Sequence, residues 1–251
     1  AISAHTTDTF SWMIPPAILL IIQQIFWRTP YGAVLQGIIL GLLTSLVAIG
    51  IVLIYRSNRV LNFAQAEVGL LPTVLSVMLI VESGFPYLAA FAIGLVGAAL
   101  LGVSSEFLVV RRFSRSPRLV LTVATLGLAQ TLVFWAILMP DWWGSGVTSQ
   151  RIDSPLNIQF DFDKFRFNDN HIIVIVVVPL ILLAVGAILH RTRLGTGIRA
   201  VAEDFDRSGM LGIPVYRLQS FVWGLAAVLA FLALFLRSSI FGLPVGGQLG
   251  V

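Results

Sequence analysis

Cysteine is absent from the 251-residue sequence, and lysine occurs once, as Lys164. Without cysteine there are no disulfides, no thiol redox chemistry and no cysteine-ligated metal. Lys164 follows Asp163 with no glycine-rich loop before it. The chain therefore has no Walker A lysine and is not its own P-loop ATPase. Charge of either sign is scarce, 11% of residues against about one quarter in a soluble domain. His5, His171 and His190 are far apart and make no metal-ligand spacing; each reads as an interface or helix-end residue. No Ser/His/Asp constellation or paired carboxylate is visible, which weighs against a membrane-embedded enzyme.

What is abundant is apolar: 57% of residues, in several runs that approach or exceed the roughly 20 residues needed to cross a bilayer. A β-barrel would show short alternating segments instead. The fold class is an all-α polytopic transmembrane bundle of about seven membrane segments, and residues 1–251 form a single membrane domain. The net charge of +4 reports arginines in loops, so the lipid bilayer is an expected partner and nucleic acid is not.

Residues 1–11 are polar. Trp12–Trp27 reads as a short first membrane helix with Trp at both ends, as in an interfacial belt. No basic residue precedes it and no small-residue cleavage site follows, against a signal peptide. Ala33–Tyr55 is a full span with Gly37 and Gly41 four apart, either a close-packing face or the ordinary glycine content of membrane helices. Val68–Val81 is short for a crossing and contains Pro72. Either part of 62–67 extends it, or it is broken at membrane depth, which is tolerated only inside protein or beside a cavity. Tyr87–Val110 spans, with Gly94, Ala98 and Gly102 on one small face; Glu106 near its end and the arginines after it read as a snorkelling surface pair. Leu119–Met139 spans and holds Thr125 and Gln130, the latter facing a neighbouring helix or a cavity. Pro140–Asn170 is a long polar loop of net charge −2, with a weak hairpin signal over Asn157–Phe167. His171–Leu189 spans, with a kink expected at Pro179, and Leu218–Leu236 is the last clear span. Between them, in the basic loop 190–217, Gly195–Arg207 reads as one amphipathic helix, with Ile198, Val201, Ala202 and Phe205 on its apolar face.

The stretch Ile54–Glu67 organises the rest. It sets Arg56, Arg59, Asn62, Gln65 and Glu67 between two lipid-grade runs. A charge at the bilayer centre costs roughly 2.5–3.5 kcal/mol, so the segment is either a solvated loop or the lining of a polar cavity. Its Tyr55, Val60, Asn62, Phe63, Ala64 and Glu67 resemble the signature of the permease subunits of branched-chain amino acid ABC transporters (the Liv type). Gln65 and Ala66 stand where that family has His and Gly. Two further segments resemble it in order: Arg115, Ser116, Pro117, Leu121 and Ala124–Leu128, then Arg193–Gly195, Arg199–Asp204 and Leu211–Ile213. Together they cover roughly residues 34–236.

The resemblance implies a half-channel that pairs with a second permease subunit, identical or homologous. Two ATP-binding subunits dock beneath it, and an external solute-binding protein delivers the solute. The chain itself would hold no cofactor, ATP and magnesium residing in the partner subunits. The 195–210 helix would be the coupling helix, with Arg199, Ala202, Glu203, Asp204, Phe205 and Gly212 as coupling residues. Asn62, Gln65, Glu67, Thr125 and Gln130 are candidates for the substrate pathway; Glu67 has the alternative of capping the helix that follows. Gln65 cannot titrate near neutrality as a histidine would. The solutes implied are branched-chain or other amino acids, with urea and short amides as alternatives. A stand-alone secondary transporter or channel would need ion-coupling carboxylates, for which Glu67, Glu82 and Glu106 are available. The location implied is a bacterial cytoplasmic membrane. Arginine bias puts loops 55–61, 111–118 and 190–217 and the N-terminus inside and 140–170 outside. Relative to the family, 1–30 is an extension, and the chain is expected to lack the later helices.

Overall fold

The computed structural model describes residues 31–113, 116–144, 159–162 and 165–243, together with Ile18 and Ile152. Among the described residues, eight α-helices follow in order from Tyr31: α1 (Tyr31–Asn58), α2 (Gln65–Val81), α3 (Tyr87–Ser105), α4 (Arg118–Leu138), α5 (Asp169–Arg191), α6 (Arg193–Glu203), α7 (Phe205–Met210) and α8 (Val215–Phe241). A π-turn, Glu106–Val110, continues α3, and a 3-10 turn, Pro140–Trp143, follows α4. Pro86, Pro117 and Pro214 occupy the N-caps of α3, α4 and α8. Their missing N–H and fixed φ suit a helix start. The hairpin signal is borne out by β1 (Gln159–Phe162) and β2 (Phe165–Asn168), antiparallel with Phe160 opposite Phe167.

Among the described residues, five helical units are long and apolar enough to cross a bilayer: Tyr31–Asn58, Tyr87–Val110, Leu119–Trp143, Asp169–Arg191 and Val215–Phe241. The expected helix at 12–27 lies outside the described residues, apart from Ile18. α2, with 17 residues, reaches about 25 Å, short of the roughly 30 Å hydrocarbon core. Of the two outcomes open for this element, extension holds: α2 begins at Gln65 and runs unbroken through Pro72. The irregular backbone is confined to 59–64.

The helices alternate between two ends, and specific contacts fix which loops share one. Arg59 donates to the Ala202 carbonyl and Arg111 to Ser220. The loops after α1, α3 and α5 therefore lie together at an arginine-rich end. At the other end Trp143 donates to Ser83 (3.0 Å) and Asn170 to the Ser239 carbonyl (3.1 Å).

α8 stands at the centre, packed along α1, α2 and α3. In lipid no hydrophobic force drives helices together, so close van der Waals packing must, and small residues permit it. The small face expected on α3 does this: Ala90, Gly94, Ala98 and Gly102 are all buried. A Cβ on Gly102 would lie 2.6 Å from Ala227 Cβ, and one on Gly69 of α2 2.7 Å from Ala230 Cβ, both on α8. Tyr87, Phe91, Phe231 and Phe235 fill the space beyond, with ring centroids 5.3–5.7 Å apart. Gly37 and Gly41, by contrast, have no neighbour within 4 Å of an added Cβ among the described residues.

Candidate functional site

The chain leaves α1 through Arg59, whose φ of 55° puts a non-glycine residue in the left-handed region. That conformation costs about 1–3 kcal/mol and persists only where its surroundings fix it. Here the Arg59 guanidinium is fixed to the Ala202 carbonyl. Turning inward, Asn62 accepts from the Ala64 amide (3.0 Å) and lies 3.4 Å from the Gln65 side-chain oxygen. The Gln65 amide donates to the Ala226 carbonyl of α8 (2.9 Å). Gly50 of α1 leaves it room, for a Cβ there would sit 3.1 Å from Gln65 Cδ. The Phe63 amide donates to the Thr125 hydroxyl of α4 (3.3 Å), which itself donates to the Thr122 carbonyl (2.7 Å). Asn62, Gln65 and Thr125 are all buried.

Three of the five pathway candidates are thus brought into one polar knot that ties the 59–64 backbone to α4 and α8. Glu67 and Gln130 stand apart from it. Glu67 lies half-buried in the first turn of α2. One of its carboxylate oxygens is buried with no hydrogen-bond partner among the described residues. The N-cap position of α2 is Ala64, without a side-chain cap, so what Glu67 gains there is the favourable field of the helix N-terminus. Gln130 is exposed on the outer face of α4.

The expected single helix at 195–207 is two helices. Asp204 breaks it, with extended backbone (φ −150°, ψ 111°), and its carboxylate caps α7 by accepting from the Arg207 amide (3.0 Å). An aspartate is a strong N-cap and a poor interior residue, which is why the join falls there. Thr192 caps α6 in the same way, through the Gly195 amide (3.2 Å). Ile198 and Val201 face inward as expected, while Ala202 is half-buried. Arg199 is held to the Leu189 carbonyl, Glu203 and Asp204 are exposed, and Gly212 makes the turn into α8 at φ 80°. Phe205 begins α7; its side chain is outside the described residues. Periodicity overlooked Met210 and Leu211, which are 81% and 76% exposed at the end of α7. Two large apolar residues displayed side by side outside the spans suit contact with a protein or with the membrane surface.

The snorkelling pair is also corrected. Glu106 is 1% exposed. Arg111 donates to both its carboxylate oxygens (3.2 and 3.0 Å), and Ser220 of α8 donates to one of them (2.7 Å). The Arg111 guanidinium lies between the Phe107 and Tyr216 rings, 5.1 and 5.2 Å from their centroids. The π-turn makes this possible, because residues five apart share a face in a π-turn and not in an α-helix. A π-turn leaves no signature in hydropathy.

A family model described as "Branched-chain amino acid transport system / permease component" matches residues 27–244. The chain is 26% identical over 220 residues to the high-affinity branched-chain amino acid transport system permease protein BraD of Pseudomonas aeruginosa, covering 82% of this chain and 70% of that protein. It is 26% identical over 237 residues to the permease protein LivH of Escherichia coli K12, covering 89% and 72%. It is 28% identical over 204 residues to a probable LivH of Methanocaldococcus jannaschii, covering 78% and 63%. No solved structure matches.

Proposed function

The chain belongs to the branched-chain amino acid transport permease family, and from that premise we propose that it is the membrane-spanning half of an ATP-driven importer for branched-chain or other small amino acids. It pairs with a second permease subunit, and an external binding protein supplies the solute. Two ATPase subunits bind at the arginine-rich end, which faces the cytoplasm by the positive-inside rule; the hairpin and the 3-10 turn face outward. The observation that carries this reading is the α6–α7 pair. It is short and capped at both starts, lies between two spans, and ends in the exposed Met210 and Leu211. Arg199, Ala202, Glu203, Asp204, Phe205 and Gly212, on this pair and the turn after it, are the candidate coupling residues. On this reading the polar knot of Asn62, Gln65 and Thr125 lines or braces the solute path, and Glu67 and Gln130 face the second permease across it.

The test is co-purification and uptake in proteoliposomes. The wild type is expected to hold its ATPase subunits and to take up a branched-chain amino acid only with ATP. Met210→Asp combined with Leu211→Asp should weaken ATPase binding by about 2 kcal/mol, roughly 30-fold, with membrane insertion unchanged. Uptake that persists without ATP, or a double variant that holds its ATPase normally, would overturn the reading.

A further inference from the structure

At the arginine-rich end a cleft of about 370 Å³ opens between the last turns of α1 and α5 and the side of α6. Arg56, Arg59, Arg199 and His190 line it against one carboxylate, Glu203, and its walls are apolar: Leu53, Leu189 and Ile198. Two of the three guanidiniums are fixed before anything binds, Arg59 by the Ala202 carbonyl and Arg199 by the Leu189 carbonyl. Each keeps further N–H donors free, since guanidinium carries five. Arg56 makes no hydrogen bond or ion pair among the described residues. Glu203 lies within 4 Å of none of these cations. The cleft therefore holds an excess of positive charge that no described residue neutralises. Its mouth includes the exposed Tyr55, beside α5, whose apolar span is only 17% buried among the described residues.

Converging, pre-positioned guanidiniums recognise phosphate oxygens in paired geometry, and apolar walls under a basic rim suit the start of an acyl chain. We propose that this cleft binds the phosphate headgroup of an anionic membrane lipid. The cleft lies on the α1 and α5 side of α6 and shares Arg199, Ala202 and Glu203 with the candidate coupling residues, but Arg56 and Arg59 belong to it alone, and it does not depend on which solute the chain carries.

The test is native mass spectrometry of the purified full chain, with phosphatidylglycerol or phosphatidylcholine of the same acyl chains. The wild type is expected to retain phosphatidylglycerol about tenfold better. Arg56→Gln, which breaks no hydrogen bond or ion pair among the described residues, should lower that preference by about fivefold, the effect of one arginine near a lipid surface. Arg112→Gln, an equal charge loss at the same end but outside the cleft, should leave it unchanged. Equal retention of the two lipids would overturn the proposal. So would an equal loss in both variants, which would reveal a diffuse surface charge. Displacement of the lipid by millimolar inorganic phosphate would overturn it too, by making free phosphate the occupant.

Discussion

α5 and α8 are both long apolar helices, 23 and 27 residues, yet 17% of the α5 span is buried against 67% of the α8 span. The more hydropathic of the two is α5, the outer one. In a soluble protein that order would be reversed. In a bilayer, apolar side chains gain nothing by leaving lipid for protein, so Leu, Ile and Val gather outside. Alanine, glycine and serine go to the centre, where backbones approach closely. α8 accordingly buries Gly224, Ala226, Ala227, Ala230, Ala233, Ser238 and Ser239, while α5 displays Leu180 and Leu183.

The comparison is broken most severely at Gly69, which lets α2 lie on α8. In Gly69→Val the new side chain meets the α8 backbone, which cannot move aside as a side chain would. A loss of about 3 kcal/mol or more is expected, read as a fall in detergent melting temperature and in folded yield. A normal melting curve would show that α2 does not need this approach. Next comes Glu106→Ala, which removes the buried carboxylate that Arg111 grips beside α8. A loss of about 3 kcal/mol is expected in an SDS unfolding titration, at the low end for a buried pair because the arginine is partly exposed. Adding Arg111→Met should recover most of it, and no recovery would mean that the network with Ser220, not the charge pair, carries the effect. Smallest is Leu183→Ala on the outward face of α5. It should cost under about 0.5 kcal/mol, as surface changes do. A cost several times larger would show that this face is covered by another subunit.

Most of the fold was legible because membrane spans are written in long apolar runs, and the arginines sort the loops to one end. The small face of α3 was legible too. Gly37 and Gly41 show the limit of such motifs, since spacing alone does not say whether another helix is there to use it. The site was legible in part. Asn62, Gln65 and Thr125 converge because polar groups inside a bundle must find partners, and that need is visible in sequence. What escaped was geometry set by backbone departures. The π-turn buries Glu106 with Arg111, the left-handed Arg59 reaches α6, and Asp204 splits one expected helix into two. None of these changes the hydropathy profile.

The break at Asp204 divides the loop mechanically. α6 is moored twice, to α1 through Arg59 and to α5 through Arg199. α7 runs through a short turn into α8, stiffened by bonds from the Ile213 amide to the Ser208 carbonyl (3.2 Å) and from Val215 to Ile213 (2.8 Å). A push on Met210 and Leu211 is therefore not shared evenly along the loop. It would act as a crank throw on the central post, with α6, held to α1 and α5, as its bearing.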